Sequence, residues 1–419
     1  MPIDRRQFRL LLPLGTALAL SLTGDSTMYA VLANQTELLG ISLGVVGLLL
    51  GANRMIRIPG NLIAGGYYDR GRRRPLFLLG LALGILSTLS YSLVHGFWLL
   101  LVARVLWGIS WSLINVGGYT MILDWSGPED RGRMAGLYQV AFMLGLTISP
   151  ILGGSLTDAL GFQAAVRVCA AVSAFGLLVA LLGLPETSSR GQGGVWGPGA
   201  VWHRRQITQW LEAMQGVNRS LLATSYVYLV VLFVNSGILM STISLYIEQR
   251  WGGTLSIGDR AIGVASLGGL LLAMRSALGI VGGPAAGALS DRIGDRWPVV
   301  RAGLVFTSLG FLVLVFLQSV GAIPIGVALV SVSAGGLVAA LVALVGDLAE
   351  GQRQGLAVGG LATAGDIGSA MGPPLAYGLA VVIGLRGVYL LCVFVLVSAL
   401  LITIRQRSSS SAAMTRQEH

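Results

Sequence analysis

The chain runs to 419 residues, of which 54% are hydrophobic and 11% charged, with a mean hydropathy of +0.77. A soluble protein of this length carries about a quarter charged residues, so the composition excludes a soluble domain and indicates a polytopic helical membrane protein. The net charge of +10 rests on arginine, with no lysine in the chain; its clustering in short loops is the pattern of cytoplasmic loops, not of a nucleic-acid surface.

A bilayer span needs about 20 apolar residues, and the chain offers twelve such segments: 10–32, 39–64, 76–94, 97–123, 134–156, 162–184, 221–246, 262–289, 299–320, 323–348, 356–382 and 385–404. An even number places both ends on one side, and the arginine bias makes that side the cytoplasm. The first span carries Asp25 well inside it, with Tyr29 one turn on along the same face. It lacks an A-x-A-like cleavage site, so no removable leader is expected. An ionisable group inside a bilayer is costly unless paired or hydrated. Asp25 is therefore expected either in a cavity, taking up a proton or cation, or in a permanent pair with an arginine. Arg54 and Arg57 in the second span and Arg104 in the fourth are the candidate partners. At 1.5 Å rise per residue, Asp25 and Arg54 come out at similar depth and Arg104 somewhat nearer the outside.

The second span ends in GNLIAGGYYDRGRRR, and the eighth ends in GGPAAGALSDRIGDR. In each, a glycine precedes an Asp-Arg pair by four residues: Gly65 before Asp69-Arg70, and Gly287 before Asp291-Arg292. One turn of separation lets a neighbouring helix approach the bare backbone above the aspartate. Two such loops half a chain apart predict a duplicated protein. Asp69, Arg73, Asp124 and Arg133, with Asp291 and Arg292 in the second half, are expected to form a latch at the cytoplasmic face.

In the fourth span, Trp107, Trp111, Asn115 and Tyr119 fall at intervals of four and share a face. With Tyr29, Asn235 in the seventh span and Tyr377 in the eleventh, they either line an aromatic substrate cavity or pack against neighbouring helices. Gly145, Pro150, Gly153 and Gly154 in the fifth span, and Gly372 and Pro373 at the equivalent place in the eleventh, read as bending and close-packing devices. Arg275 and Asp366 come out near one depth in the second half. They are expected to form a permanent buried pair.

The domain plan is an N-terminal six-helix bundle (1–184), a linker rich in Gly, Ser and Pro (185–219) in which 202–214 suits a surface helix, a C-terminal bundle (220–407) and a polar, disordered tail (408–419). Cys169 and Cys392 lie in apolar runs, which gives no disulfide framework. His95, His203 and His419 have no partner at metal-ligand spacing, and no Walker loop is present. No cofactor, metal or enzyme activity is expected.

Over essentially its full length the chain resembles the major facilitator superfamily. The Gly65–Arg73 loop is similar to that family's signature between helices 2 and 3, with its second glycine one residue early. Asp291-Arg292-Ile-Gly294 keeps the spacing, with Asp295 where a basic residue is usual. LLVARVLWG, residues 100–108, resembles the helix 4 arginine signature, and the helix 5 stretch that of proton-driven drug antiporters, with Ser149 replacing a glycine; Pro185-Glu186-Thr187 after helix 6 also fits. The resemblance implies two pseudo-symmetric six-helix bundles, a proton-coupling role for Arg104, and alternating access. It also implies helices 2 and 11 facing each other, a layout in which Asp366 would instead change partner between Arg275 and Arg54 or Arg57 as the halves rock. The expected function is a monomeric, proton-coupled exporter of small amphipathic or drug-like molecules in a bacterial inner membrane. The alternatives are a symporter or facilitator for a metabolite, organic anion or lipid head group, and a transport-inactive sensor or scaffold.

Overall fold

The computed structural model describes residues 5–127, 130–187, 219–257, 260–317, 319–348 and 354–406. The expected surface helix at 202–214 and the tail from 408 lie outside them. Twelve long helices follow one another: α1 Arg5–Val31, α2 Leu43–Arg70, α3 Arg73–Ser90, α4 Phe97–Trp125, α5 Arg131–Leu160, α6 Phe162–Gly183, α7 Arg219–Trp251, α8 Val264–Ile293, α9 Trp297–Phe316 and α10 Ala322–Leu348. The last two, α11 (354–383) and α12 (385–404), run on across Gly384, whose φ of 70° breaks the helical path between them. Only glycine adopts that conformation at little cost.

Among the described residues, nine helical stretches are long and apolar enough to cross a membrane, the α11–α12 run counting as one. The exceptions, α1 and α2, are diluted by polar groups that include Asp25, Asn53, Arg54 and Arg57. These two helices supply three of the five charged residues that line the space between the halves.

The helices form two six-helix halves. In the first, α1 packs on α5 and α6, and α4 on α2 and α3; in the second, α8 packs on α10, α9 on α10 and α12, and α7 on α11. The halves meet along two seams, α2 against α11 and α5 against α8. Small residues make both seams. A Cβ at Gly51 would come 2.8 Å from the Ala370 carbonyl of α11, and one at Gly154 would overlap the Ala265 carbonyl of α8. With no hydrophobic drive between helices in lipid, such backbone contact supplies the attraction. A Cβ at Gly145 would come 2.9 Å from the Ala19 Cα of α1, one at Gly153 would overlap Thr27 of α1, and one at Gly269 would overlap the Pro150 carbonyl. One helix thus grips α1 on one face and α8 on the other. Gly372 approaches Gly237 of α7, and the Pro373 carbonyl lies against Gly47 of α2.

A short antiparallel hairpin, Thr254–Ile257 with Arg260–Gly263, precedes α8 where the sequence reading begins a span at residue 262. It marks one end of the bundle; the chain ends and the α2–α3 and α8–α9 loops mark the other. At the hairpin end the halves are closed: Asp158 at the end of α5 accepts the Ser266 backbone N–H in the first turn of α8, 2.8 Å away. That N–H is one of the donors a helix start leaves unsatisfied, and the carboxylate also meets the positive end of the helix dipole. Toward the termini end the halves diverge. A Cβ at Gly65, Gly136, Gly287 or Gly360 would meet nothing within 4 Å.

Candidate functional site

Between the halves lies a cavity of about 760 Å³. Its charged lining is Asp25, Arg54, Arg57, Arg275 and Asp366, and its apolar wall includes Leu22, Trp111, Phe142, Leu146, Leu232 and Val338. That volume is in the range of small-molecule sites, as is a mostly apolar wall with a few polar groups.

Asp25 is the centre of the first-half cluster. Its Oδ1 accepts from Arg104 Nη1 at 2.7 Å and from Asn53 Nδ2 at 2.8 Å. Its Oδ2 has the Arg57 guanidinium at 3.6 Å. Arg104 is wholly buried and also donates from Nε to the Leu49 carbonyl at 3.1 Å, which fixes the guanidinium plane. Ser87 and Arg104 both reach the Tyr91 hydroxyl. The Arg57 guanidinium stacks over Trp111, 5.0 Å from the ring centroid, a cation–π contact that holds it at the cavity wall.

Arg54 points elsewhere. Its Nε donates to the Tyr29 hydroxyl at 3.0 Å, and its Nη2 crosses to the second half and meets Met240 Sδ at 3.3 Å. Tyr29 therefore has two cations beside its ring, with Arg54 and Arg104 lying 5.5 and 5.6 Å from its centroid.

In the second half, α7 opens into a π-helical stretch, Phe233–Leu239. Such a stretch re-aims side chains and recurs at functional sites. Here it presents Asn235 and Ser236, which accept from Arg275 Nε and Nη2, each at 3.2 Å. Arg275 makes no ion pair among the described residues. Asp366 faces the cavity, and the charges that act on it are those of Arg57 and Arg54, across the seam between α2 and α11. The permanent Arg275–Asp366 pair that depth alone allowed is absent: Arg275 turns to Asn235 and Ser236 of α7, and Asp366 faces the arginines of α2.

Several expected cavity residues are elsewhere. Trp107 is 1% exposed and packs with Leu81 and Ile114 inside the first half, against the bare backbone of Gly84. Tyr377 is fully buried, its hydroxyl donating to the Ser241 carbonyl at 2.6 Å. Tyr119 donates to Gln139 at 2.9 Å, and neither it nor Asn115 lines the cavity. An interval of four on a straight helix drifts round the axis; only Trp111 of this stripe faces the cavity. Asn53, Tyr91, Ser236, Met240 and Phe142 went unnoticed in the sequence. The one available signal was the polar pair Asn235-Ser236 inside an apolar run.

The latch residues fall into separate clusters, one per half. Arg73 Nε donates to Asp124 Oδ2 at 3.0 Å, Thr187 donates to the same oxygen at 3.2 Å, and Glu186 accepts the Arg73 backbone N–H at 2.9 Å. In the second half Arg296 bridges Asp347 and Asp291. Hydrogen bonding to Asp347 raises the Arg296 pKa and keeps it charged. Arg133 reaches Asp130 and Gln7. Asp69 and Arg292 are exposed and have no ion-pair partner among the described residues, and nothing packs on Gly65. The close approach expected at Gly65 is therefore absent, because the halves stand apart at that end. Among the described residues, none of these bonds joins the two halves.

Two helical halves around a central, charged, water-accessible cavity define a secondary membrane transporter fold. The sequence profile described as Major Facilitator Superfamily matches residues 14–268 and 231–418, and the chain belongs to that family. It is a family of transporters, not enzymes. Curated relatives include the multidrug resistance protein MdtG of Enterobacter lignolyticus, 24% identical over 84% of this chain and 80% of that protein. MdtG of Escherichia coli strain SMS-3-5 is 28% identical over 78% and 75%. The MFS antiporter QDR3 of Candida albicans is 28% identical over 42% of this chain, a match spanning 24% of that protein. Among solved structures, a bacterial homologue of the human lysosomal transporter Spinster, inward-facing and occupied, superposes with a TM-score of 0.78 at 16% identity, covering 96% and 97% of the two chains. The human organic anion transporter MFSD10 gives 0.66 at 20% identity, covering 96% and 100%.

Proposed function

We propose that this protein moves small amphipathic molecules across a membrane by alternating access, exchanging them for protons, with Asp25 and Asp366 as the proton-carrying groups. The observation behind this reading is that both carboxylates line the same cavity between the halves and that the Arg57 charge acts on both. Burial without a cation favours the protonated carboxyl, and an approaching arginine favours the ionised one. A change in how the halves face each other therefore changes how tightly Asp366 holds a proton, and with it how much of the Arg57 charge acts on Asp25 alone. The closure at the hairpin end and divergence at the termini end describe one of the two required states. With the termini on the cytoplasmic side, as the arginine bias suggests, this state opens inward. The likeness to MdtG and QDR3 supports export as the direction. The ring of cavity arginines and the shared fold with an organic anion transporter keep anion transport as the second reading.

The test is transport in proteoliposomes with an imposed pH step, using the intact protein and Asp25→Asn. The proposal expects substrate movement to follow the pH gradient in the intact protein and to lose that dependence in the variant. Equal pH-driven transport by both would overturn the role of Asp25.

A further inference from the structure

The cavity is over-supplied with positive charge. Three arginines and two aspartates line it, and Arg104 stands behind Asp25 as a fourth cation. Asp25 is occupied by Arg104 and Arg57. Arg54 and Arg275 come from opposite halves, and the charge of each acts on the other. All their hydrogen-bond partners are neutral: a phenol and a thioether for Arg54, a side-chain amide and a hydroxyl for Arg275. A thioether is a weak acceptor, so Arg54 Nη2 exchanges it for an oxyanion at little loss. Asp366 lines the same cavity, but among the described residues no carboxylate pairs with either guanidinium, and holding two half-buried guanidiniums near each other unpaired is unfavourable by itself. An oxyanion between them relieves the repulsion and accepts the charge-assisted bonds for which guanidinium geometry is suited. Around them the wall is apolar, with Phe142, Leu146, Leu232 and Ile280.

We propose that Arg54 and Arg275 together bind the anionic head, a phosphate or carboxylate, of an amphiphilic substrate whose apolar part lies against the α5, α7 and α8 walls. The site is the cavity already assigned to transport, and the proposal rests on that reading for its word "substrate". It is tested by binding alone, so failure of transport and failure of charge preference are separate results. Purified full-length protein in phosphatidylcholine nanodiscs would be titrated calorimetrically with octyl phosphate, octanol, octylammonium, inorganic phosphate and lysophosphatidic acid. The expected result is binding of octyl phosphate at least about tenfold tighter than octanol or octylammonium, with inorganic phosphate weaker than octyl phosphate. Lysophosphatidic acid binding more tightly than octyl phosphate assigns a lipid as the source of the head group; the reverse assigns a soluble amphiphile, and both support the site. Arg54→Gln and Arg275→Gln should each weaken octyl phosphate by about tenfold or more. The double variant should lose less than the two losses combined, because one anion is shared. Arg275→Lys, which keeps the charge, should retain more affinity than Arg275→Gln, and thermal melting of each variant separates lost binding from lost folding. Equal affinity for octanol or octylammonium, or folded Gln variants that bind octyl phosphate like the intact protein, would overturn the proposal.

Discussion

Arg104 on α4 and Asp25 on α1 form the shortest ion pair of the first half, Nη1 to Oδ1 at 2.7 Å, with the arginine wholly out of solvent. Removing one member of a buried pair leaves the other uncompensated and costs about 3–5 kcal/mol. Arg104→Gln is therefore expected to lower the melting temperature markedly in detergent, while Arg104→Gln combined with Asp25→Asn recovers part of the loss. A melting temperature unchanged by Arg104→Gln would show that Asn53 and Arg57 hold Asp25 unaided.

Asp366 should behave differently. It faces the cavity and has no ion-pair partner among the described residues, so Asp366→Asn is expected to change stability by no more than about 0.5 kcal/mol. Its effect should appear in pH-driven transport, which the substitution abolishes while thermal melting stays as in the intact protein. A large drop in melting temperature would place Asp366 in a structural pair instead.

At the hairpin end, the Asp158 carboxylate caps the first turn of α8 from the other half. Loss of a capping acceptor costs about 1 kcal/mol, which corresponds to about a fivefold shift between two conformations. Asp158→Ala should move the population toward the form open at this end. Paired spin labels on α5 and α8 near the hairpin would report it as a longer distance; an unchanged distance distribution would count against the cap as a conformational lock.

Gly154 makes the same seam from the backbone side. A methyl there overlaps the Ala265 carbonyl, and a peptide backbone has no flexible end to yield. Gly154→Val should prevent the observed closure, and cysteine labelling at the hairpin-end cavity mouth should become faster than in the intact protein. Gly65→Ala, where an added methyl would meet nothing within 4 Å, should leave the same labelling rate unaltered.

Class, span count and duplication were determined by the sequence itself. Twenty-residue apolar runs leave few alternatives in a bilayer, and rise per residue turns position into depth. The glycines and prolines of the fifth and eleventh spans also marked those two helices as closely packed, as Gly154 and Gly372 are. Partnership was decided only by tertiary structure. Depth leaves the direction of a side chain open, and that direction depends on helix rotation and on local faults such as the π-helical stretch in α7. So Asp25 took Arg104 and Asn53, Arg54 turned to Tyr29 and Met240, and Arg275 found Asn235 and Ser236. Trp107 and Tyr377 went into packing because their faces turned inward within a half, and the Asp158 cap arose where two helix ends, over a hundred residues apart, happened to meet.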